Sequence, residues 1–317
     1  MKTLPNTDLT VSAICLGTSD LGTVVPEAGA FALLDAFVDG GGNFLDTAAV
    51  YANWIPGERS VSEKTLGRWL KARGNRDKIV VATKGGHPDL ATMHISRMLP
   101  QEIVSDVNDS LRNLQVETVD LYYVHRDDPT RPVGEVVETL NDQVRAGKLR
   151  YLGCSNWHAP RIRAANAYAA DHGLAGFVTD QMLWNLAVVD FDALADKTVA
   201  MMDANLWQFH ADTGLAAVPY SSQAGGLFHK MARGLQAGRG MYRSPENVER
   251  FVRIQRLSQE TGLSITQIVL GYLTSQPFVT VPIVGCKTLA HLEDSLTALA
   301  VQLAPEQLQY LDSSDAW

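Results

Sequence analysis

Apolar residues in this chain gather into eight short runs rich in β-branched and aromatic side chains, at 13–16, 43–45, 79–83, 121–124, 151–154, 177–179, 216–219 and 279–282. Runs of this length bounded by turn formers predict strands. Most are followed by a stretch whose apolar positions recur three and four residues apart, the period of a helix with one buried face; Ile103, Val107, Leu111 and Leu114 make one such stripe. Helices are predicted near 27–39, 60–72, 100–113, 133–146, 159–171, 190–204 and 247–261. Strand and helix in alternation build a parallel sheet, closed as a barrel or open and doubly wound.

Two features favour closure. No G-x-G-x-x-G follows the first predicted strand, where an open dinucleotide-binding sheet carries it; residues 17–22 read GTSDLG and open no helix. Eight strands also match the barrel count, and no linker rich in Pro, Gly or Ser divides the chain. The 317 residues are therefore read as one α/β domain, a (β/α)8 TIM barrel. Residues 7–17, TDLTVSAICLG, predict an N-terminal β-hairpin with Asp8 near its turn, capping the barrel bottom.

A chain with 46% hydrophobic and 20% charged residues is neither disordered nor fibrous. Its 27 Lys and Arg against 35 Asp and Glu give a net charge of −8, which provides no long-range attraction to nucleic acid or anionic lipid. Cys15, Cys154 and Cys286 are too few and too scattered for a disulfide framework or a zinc site, so no metal is expected. Pro5, Asn6 and Asp8 interrupt the amino terminus before an apolar run reaches signal-peptide length, and no run of about 18 apolar residues follows. A cytoplasmic protein with no membrane partner is expected, and composition leaves monomer and homo-oligomer both open.

In a parallel barrel, polar residues at the carboxyl ends of strands surround one mouth. Asp46 closes the second predicted strand in GGGNFLDTAAVY, with Tyr51 in the loop after it; Lys84 follows the third in IVVATKGG, and His125 the fourth in DLYYVHRD. Taken singly, these would pass for a cap, a packing tyrosine, a solvated lysine and a structural histidine. Together they pair a phenol of ordinary pKa near 10 with a cation able to lower it and a carboxylate able to hold that cation. That is a proton-transfer device.

At this point the sequence resembles the aldo-keto reductase family, through LDTAAVY with SEKTLG (62–67), ATKGG, VDLYYVH, RYLGCSNW and VPIVGCKTLAHLED, which lie in family order within residues 14–299. The resemblance implies a TIM barrel that binds NADPH (NADP+) without a Rossmann domain, with Asp46, Tyr51, Lys84 and His125 as its catalytic tetrad. It implies that Tyr51 protonates the developing alkoxide, that Lys84 held by Asp46 supports the phenolate, and that neutral His125 orients the carbonyl of a small-molecule substrate. It further implies cofactor contacts from Gly17 and Thr18, a carboxamide-binding trio in Ser155, Asn156 and Gln181, and a stacking ring in Tyr220. The pyrophosphate loop would comprise Ser221, Ser222, Gln223 and Gly225, and the adenosine end Gly285, Lys287, His291 and Asp294. A lysine at 287 would serve the 2′-phosphate and favour NADPH over NADH.

The chain also departs from the family pattern. Ser295 stands where many members have Asn, SSQ at 221–223 replaces Ser-Pro-Leu, and ANWIPGERSV is inserted after Tyr51. The insertion places Trp54 beside the catalytic tyrosine as a candidate pocket wall, with His87 and Arg126 as further pocket residues whose hydrogen bonds suggest hydroxylated substrates. Residues 229–250 carry Lys230, Arg233, Arg239, Arg243 and Arg250 as a basic loop over the phosphates or in solvent. Two alternatives to a carbonyl reductase stay open. One is an NADP(H)-sensing subunit of the same fold with little turnover, although the chain enters its hairpin almost at Met1. The other is a lyase or isomerase using Lys84 as a Schiff base.

Overall fold

The computed structural model describes residues 1–235 and 240–312. A short antiparallel hairpin, β1 (Lys2–Thr3) and β2 (Thr10–Val11), precedes eight parallel strands. These are β3 (Cys15–Gly17), β4 (Phe44–Asp46), β5 (Val80–Gly85), β6 (Val119–Val124), β7 (Leu149–Ser155), β8 (Phe177–Gln181), β9 (Ala216–Ala217) and β10 (Ile283–Gly285). They lie in the order β10-β3-β4-β5-β6-β7-β8-β9. The ring closes where Ala217 N donates to Val279 O at 2.9 Å and Ile283 N to Pro219 O at 2.8 Å, giving the (β/α)8 barrel expected.

Around the barrel run α1 (Glu27–Asp39), α2 (Val61–Arg73), α3 (Pro100–Leu114), α4 (Val133–Arg145), α5 (Ala159–Asp171), α6 (Ala204–Thr213), α7 (Leu227–Ala232), α8 (Pro245–Thr261), α9 (Ile265–Thr274), α10 (Leu289–Leu296) and α11 (Pro305–Asp312). No described helix is long and apolar enough to cross a membrane.

Side chains alternate across each strand, which divides the apolar residues into two cores. On β6, Leu121 and Tyr123 join the inner core, whereas Tyr122 and Val124 join the core beneath the helices. Phe44 and Val80 with Ala82 point inward in the same way, and Leu45 and Val81 outward. The inward positions continue to Asp46, Lys84 and His125, so the alternation that fills the barrel also aims these three at its axis. At the opposite end, Leu4, Leu9 and Val11 of the hairpin complete the inner core. Arg150, at the start of β7, bonds Asp8 at 2.7 Å and fastens the hairpin to the amino ends of the strands.

Four expectations are corrected. The helix expected at 190–204 is a short 3-10 turn at Phe191–Ala193 followed by loop, and α6 starts only at Ala204. Asp190 and Asp203 accept from backbone N–H groups two or three residues on, so both act as caps that begin elements. The last strand is displaced from 279–282 to Ile283–Gly285, because Pro282 has no N–H for the ladder. The hairpin pairs residues 2–3 with 10–11, and 15–17 is already barrel wall. Of the basic loop 229–250, residues 229–232 belong to α7 and Arg250 is buried on α8, bonded to Asp312; Arg239 lies outside the described residues.

Candidate active site

Asp46, Tyr51, Lys84 and His125 converge at the carboxyl ends of β4, β5 and β6. The buried Lys84 Nζ donates to Asp46 Oδ2 at 2.6 Å, to Thr47 O at 2.8 Å and to the Tyr51 hydroxyl at 2.9 Å. Tyr51 Oη also lies 3.4 Å from Asp46 Oδ2. The backbone carries the same arrangement: Ala49 N bonds Lys84 O, Tyr51 N closes a turn on Ala48 O, and left-handed Ala52 (φ 70) redirects the chain after the tyrosine.

Beneath these groups lies a shelf of hydroxyls. Thr18 donates through both its N–H and its side chain to Asp46 O at 2.9 Å. Ser62 Oγ lies 2.8 Å from each of Thr18 Oγ1 and Thr47 Oγ1, so one buried hydroxyl ties together the two loops that hold Asp46 and Lys84. Sequence reasoning passed over Thr47 and Ser62, although both lie inside the quoted motifs LDTAAVY and SEKTLG.

The electrostatics differ from the expected acidified phenol. Burial and the adjacent Asp46 carboxylate raise the Tyr51 pKa well above its ordinary value, so the group stays a phenol at neutral pH. Lys84 spends its charge on Asp46 at contact distance, and the pair offers the phenol little net positive field. Burial in turn lowers the Lys84 pKa, with Asp46 opposing the change. His125 is held well below its ordinary pKa by burial, then by Arg126, His87 and Lys84, and its ring is neutral.

Ser155 and Gln181 pair in register at the ends of β7 and β8, and Asn156 follows in the left-handed region at φ 63. Gln181 Nε2 donates to Asp46 Oδ1 at 3.0 Å, joining the expected carboxamide trio to the tetrad. Asn156 Oδ1 accepts from the Tyr220 hydroxyl at 2.7 Å. Beyond Tyr220, the loop turns through Ser221, Ala224, Gly225 and Gly226, all at positive φ. Ser222 is buried with its hydroxyl on Ile283 O, and Gln223 Nε2 reaches Ser295 Oγ at 3.3 Å. Gly17 and Gly285 are paired at the rim. Lys287 stands exposed, 3.4 Å from Asp20; the exposed His291 lies in the first turn of α10, and Asp294 accepts from Thr266.

The three pocket candidates fare differently. Trp54 stands half exposed, its ring centroid 6.1 Å from that of Tyr51 in an edge arrangement. His87 is nearly buried against His125, ring centroids 4.8 Å apart. Arg126 is committed to the protein: it donates to Thr198 Oγ1 at 2.8 Å, to His125 O at 2.8 Å and to Asp196 Oδ2 at 2.9 Å. Asp196 and Thr198 had no signal in sequence, since their partner is about 70 residues away. The segment they anchor lines, with Tyr220 and Ser221, a cavity of about 340 Å³.

The sequence profile of the Aldo/keto reductase family matches residues 13–316. An aryl-alcohol dehydrogenase [NADP(+)] of Phanerodontia chrysosporium is 33% identical over 98% of this chain and 84% of its own length. Norsolorinic acid reductase B of Dothistroma septosporum is 30% identical over 98% of this chain and 80% of its own. A putative aryl-alcohol dehydrogenase of Saccharomyces cerevisiae is 31% identical over 96% and 83%. With its barrel and a profile match over nearly its whole length, the chain belongs to the aldo/keto reductase family of oxidoreductases.

Proposed function

We propose that the protein reduces aromatic aldehydes or ketones to alcohols with NADPH, Tyr51 acting as general acid. The observation that carries this reading is the buried Lys84 ammonium bonded at once to Asp46 and Tyr51. Tyr51 holds its proton at neutral pH and gives it to the substrate oxygen as negative charge develops there. Lys84, 2.9 Å away, then stabilises the phenolate. A well-placed general acid contributes about 10²–10⁴-fold in rate. His125 Nδ1 is buried with no partner among the described residues, which leaves Nε2 as the nitrogen able to meet a substrate; with the ring hydrogen there, His125 donates to the carbonyl oxygen and orients it.

The residues fit the coenzyme. Gly225, Gly226 and Gly285 have open space where a Cβ would stand, which leaves room for a phosphate chain to approach the backbone. Gly17, Thr18, Ser155, Asn156, Gln181 and Tyr220 would hold the nicotinamide end, Ser221 to Gln223 with Gly225 the phosphates, and Gly285, Lys287, His291 and Asp294 the adenosine end. NADPH, when bound, supplies the hydride. Lys287 would meet the 2′-phosphate with a point charge shared with Asp20.

An aromatic substrate is supported by the exposed Trp54 face beside Tyr51 and by relatives named for aryl alcohols. The expectation of polar substrates loses Arg126, whose guanidinium is already bonded. NADPH oxidation followed with benzaldehydes, aryl ketones, quinones and sugars, with NADH in parallel, tests the reading. Aryl carbonyls are expected to show the highest kcat/KM. Coenzyme binding without turnover of any carbonyl would overturn it and leave a nucleotide-sensing subunit.

A further inference from the structure

Two neutral histidines with opposite hydrogen-bonding character meet at the barrel mouth, their ring planes at 69°. The backbone around His87 is fixed from both sides. Gly86, at φ +74, donates its N–H to Asp106 Oδ2 at 2.8 Å, and Arg97, paired with the same carboxylate, donates to His87 O at 3.4 Å. His87 Nδ1 lies 2.6 Å from the Pro88 carbonyl. A carbonyl only accepts, so Nδ1 carries the ring hydrogen and Nε2 keeps its lone pair. Burial and the Arg126 charge lower the His87 pKa to about 4, so no second proton is taken up at neutral pH. Nε2 meets no donor among the described residues and is not sealed off as His125 Nδ1 is. The mouth thus holds a donor on His125 and a bare acceptor on His87.

We infer that His87 reads a hydroxyl group on the carbon next to the substrate carbonyl, which makes aryl α-hydroxyketones the preferred substrate class. Such a compound presents the complementary pair, an oxygen that accepts from His125 and an O–H that donates to His87. The inference rests on the carbonyl-reductase reading above and adds the selecting group. A site that leaves a buried acceptor unpaired discriminates against the analogue lacking the donor, here by roughly ten- to hundredfold.

The test compares kcat/KM for 2-hydroxyacetophenone and 2-methoxyacetophenone, which differ in the O–H donor and have similar electronics. The wild type is expected to prefer the hydroxyketone at least tenfold. His87→Phe is expected to bring the ratio close to one by losing the hydroxyketone rate, and His87→Gln, which restores an acceptor, to recover part of it. Equal rates in the wild type, or a ratio that survives in His87→Phe, would overturn the inference while leaving carbonyl reduction intact. Failure of the wild type to reduce these and all other carbonyls would instead sink the reductase reading and this inference with it.

Discussion

The Lys84 ammonium lies 2.9 Å from the Tyr51 hydroxyl and 4.4 Å from the centroid of the same ring, so it meets the phenol at its oxygen and over its face. Both Lys84 and its partner Asp46 are buried, at 0% and 1% side-chain exposure. A charge pair at that depth owes little to surface attraction and much to the cost of leaving either member alone.

Lys84→Met is therefore expected to lower stability by about 3 kcal/mol, because it strands the Asp46 carboxylate with Gln181 as its chief remaining side-chain donor. The double variant Asp46→Asn/Lys84→Met is expected to lose less than the sum of the single changes, as coupled neighbours do. Urea unfolding of the four proteins checks both statements; additive losses would contradict the pairing.

His87 gives the fold an acid-side weakness. Its pKa is lowered from 6.5 to about 4, so the unfolded chain accepts a proton that the folded ring refuses. The stability it contributes is complete above pH 6.5, falls as the pH drops towards 4, and is gone below that. At pH 5 the loss from this group is roughly 2 kcal/mol. His87→Phe lacks the titration, so its stability relative to wild type is expected to rise between pH 7 and pH 5 when both are unfolded chemically. A constant difference would show that His87 does not titrate this way.

Arg126 straps the segment carrying Asp196 and Thr198 across the cavity beside Tyr220. If that cavity takes part of the coenzyme, Asp196→Ala is expected to weaken NADPH binding roughly tenfold, the order of one partly buried, charge-assisted bond. Arg126→Lys keeps the charge but not the fork and is expected to behave similarly. Coenzyme fluorescence titrations measure both; unchanged Kd values would detach the strap from the site.

Much of this was legible in the sequence because barrel chemistry sits on strand ends. Strands such as 79–83 and 121–124 announce themselves as apolar runs, and a polar residue directly after such a run in a parallel barrel stands at the mouth, which marks Lys84 and His125. Asp190 and Asp203 misled as helix interior because a cap is recognised only by the N–H it accepts from. Pro282 shifted the last strand by removing one donor. The side-chain commitments were out of reach: Thr18 to Asp46 O, Arg126 to Asp196 and Gln181 to Asp46 are contacts across 28, 70 and 135 positions. The raised Tyr51 pKa was equally hidden, since it depends on burial and on how close the Asp46 carboxylate comes to the phenol in the fold.

The most direct measurement is single-turnover NADPH oxidation by Tyr51→Phe alongside coenzyme titration of the same protein. The variant keeps the ring and loses the hydroxyl that carries the acidic hydrogen and accepts from Lys84, so turnover of an aryl aldehyde is expected to fall about 10²–10⁴-fold with the NADPH Kd within about twofold of wild type. Wild-type turnover by the variant, with the coenzyme bound, would contradict the role of Tyr51 as proton donor.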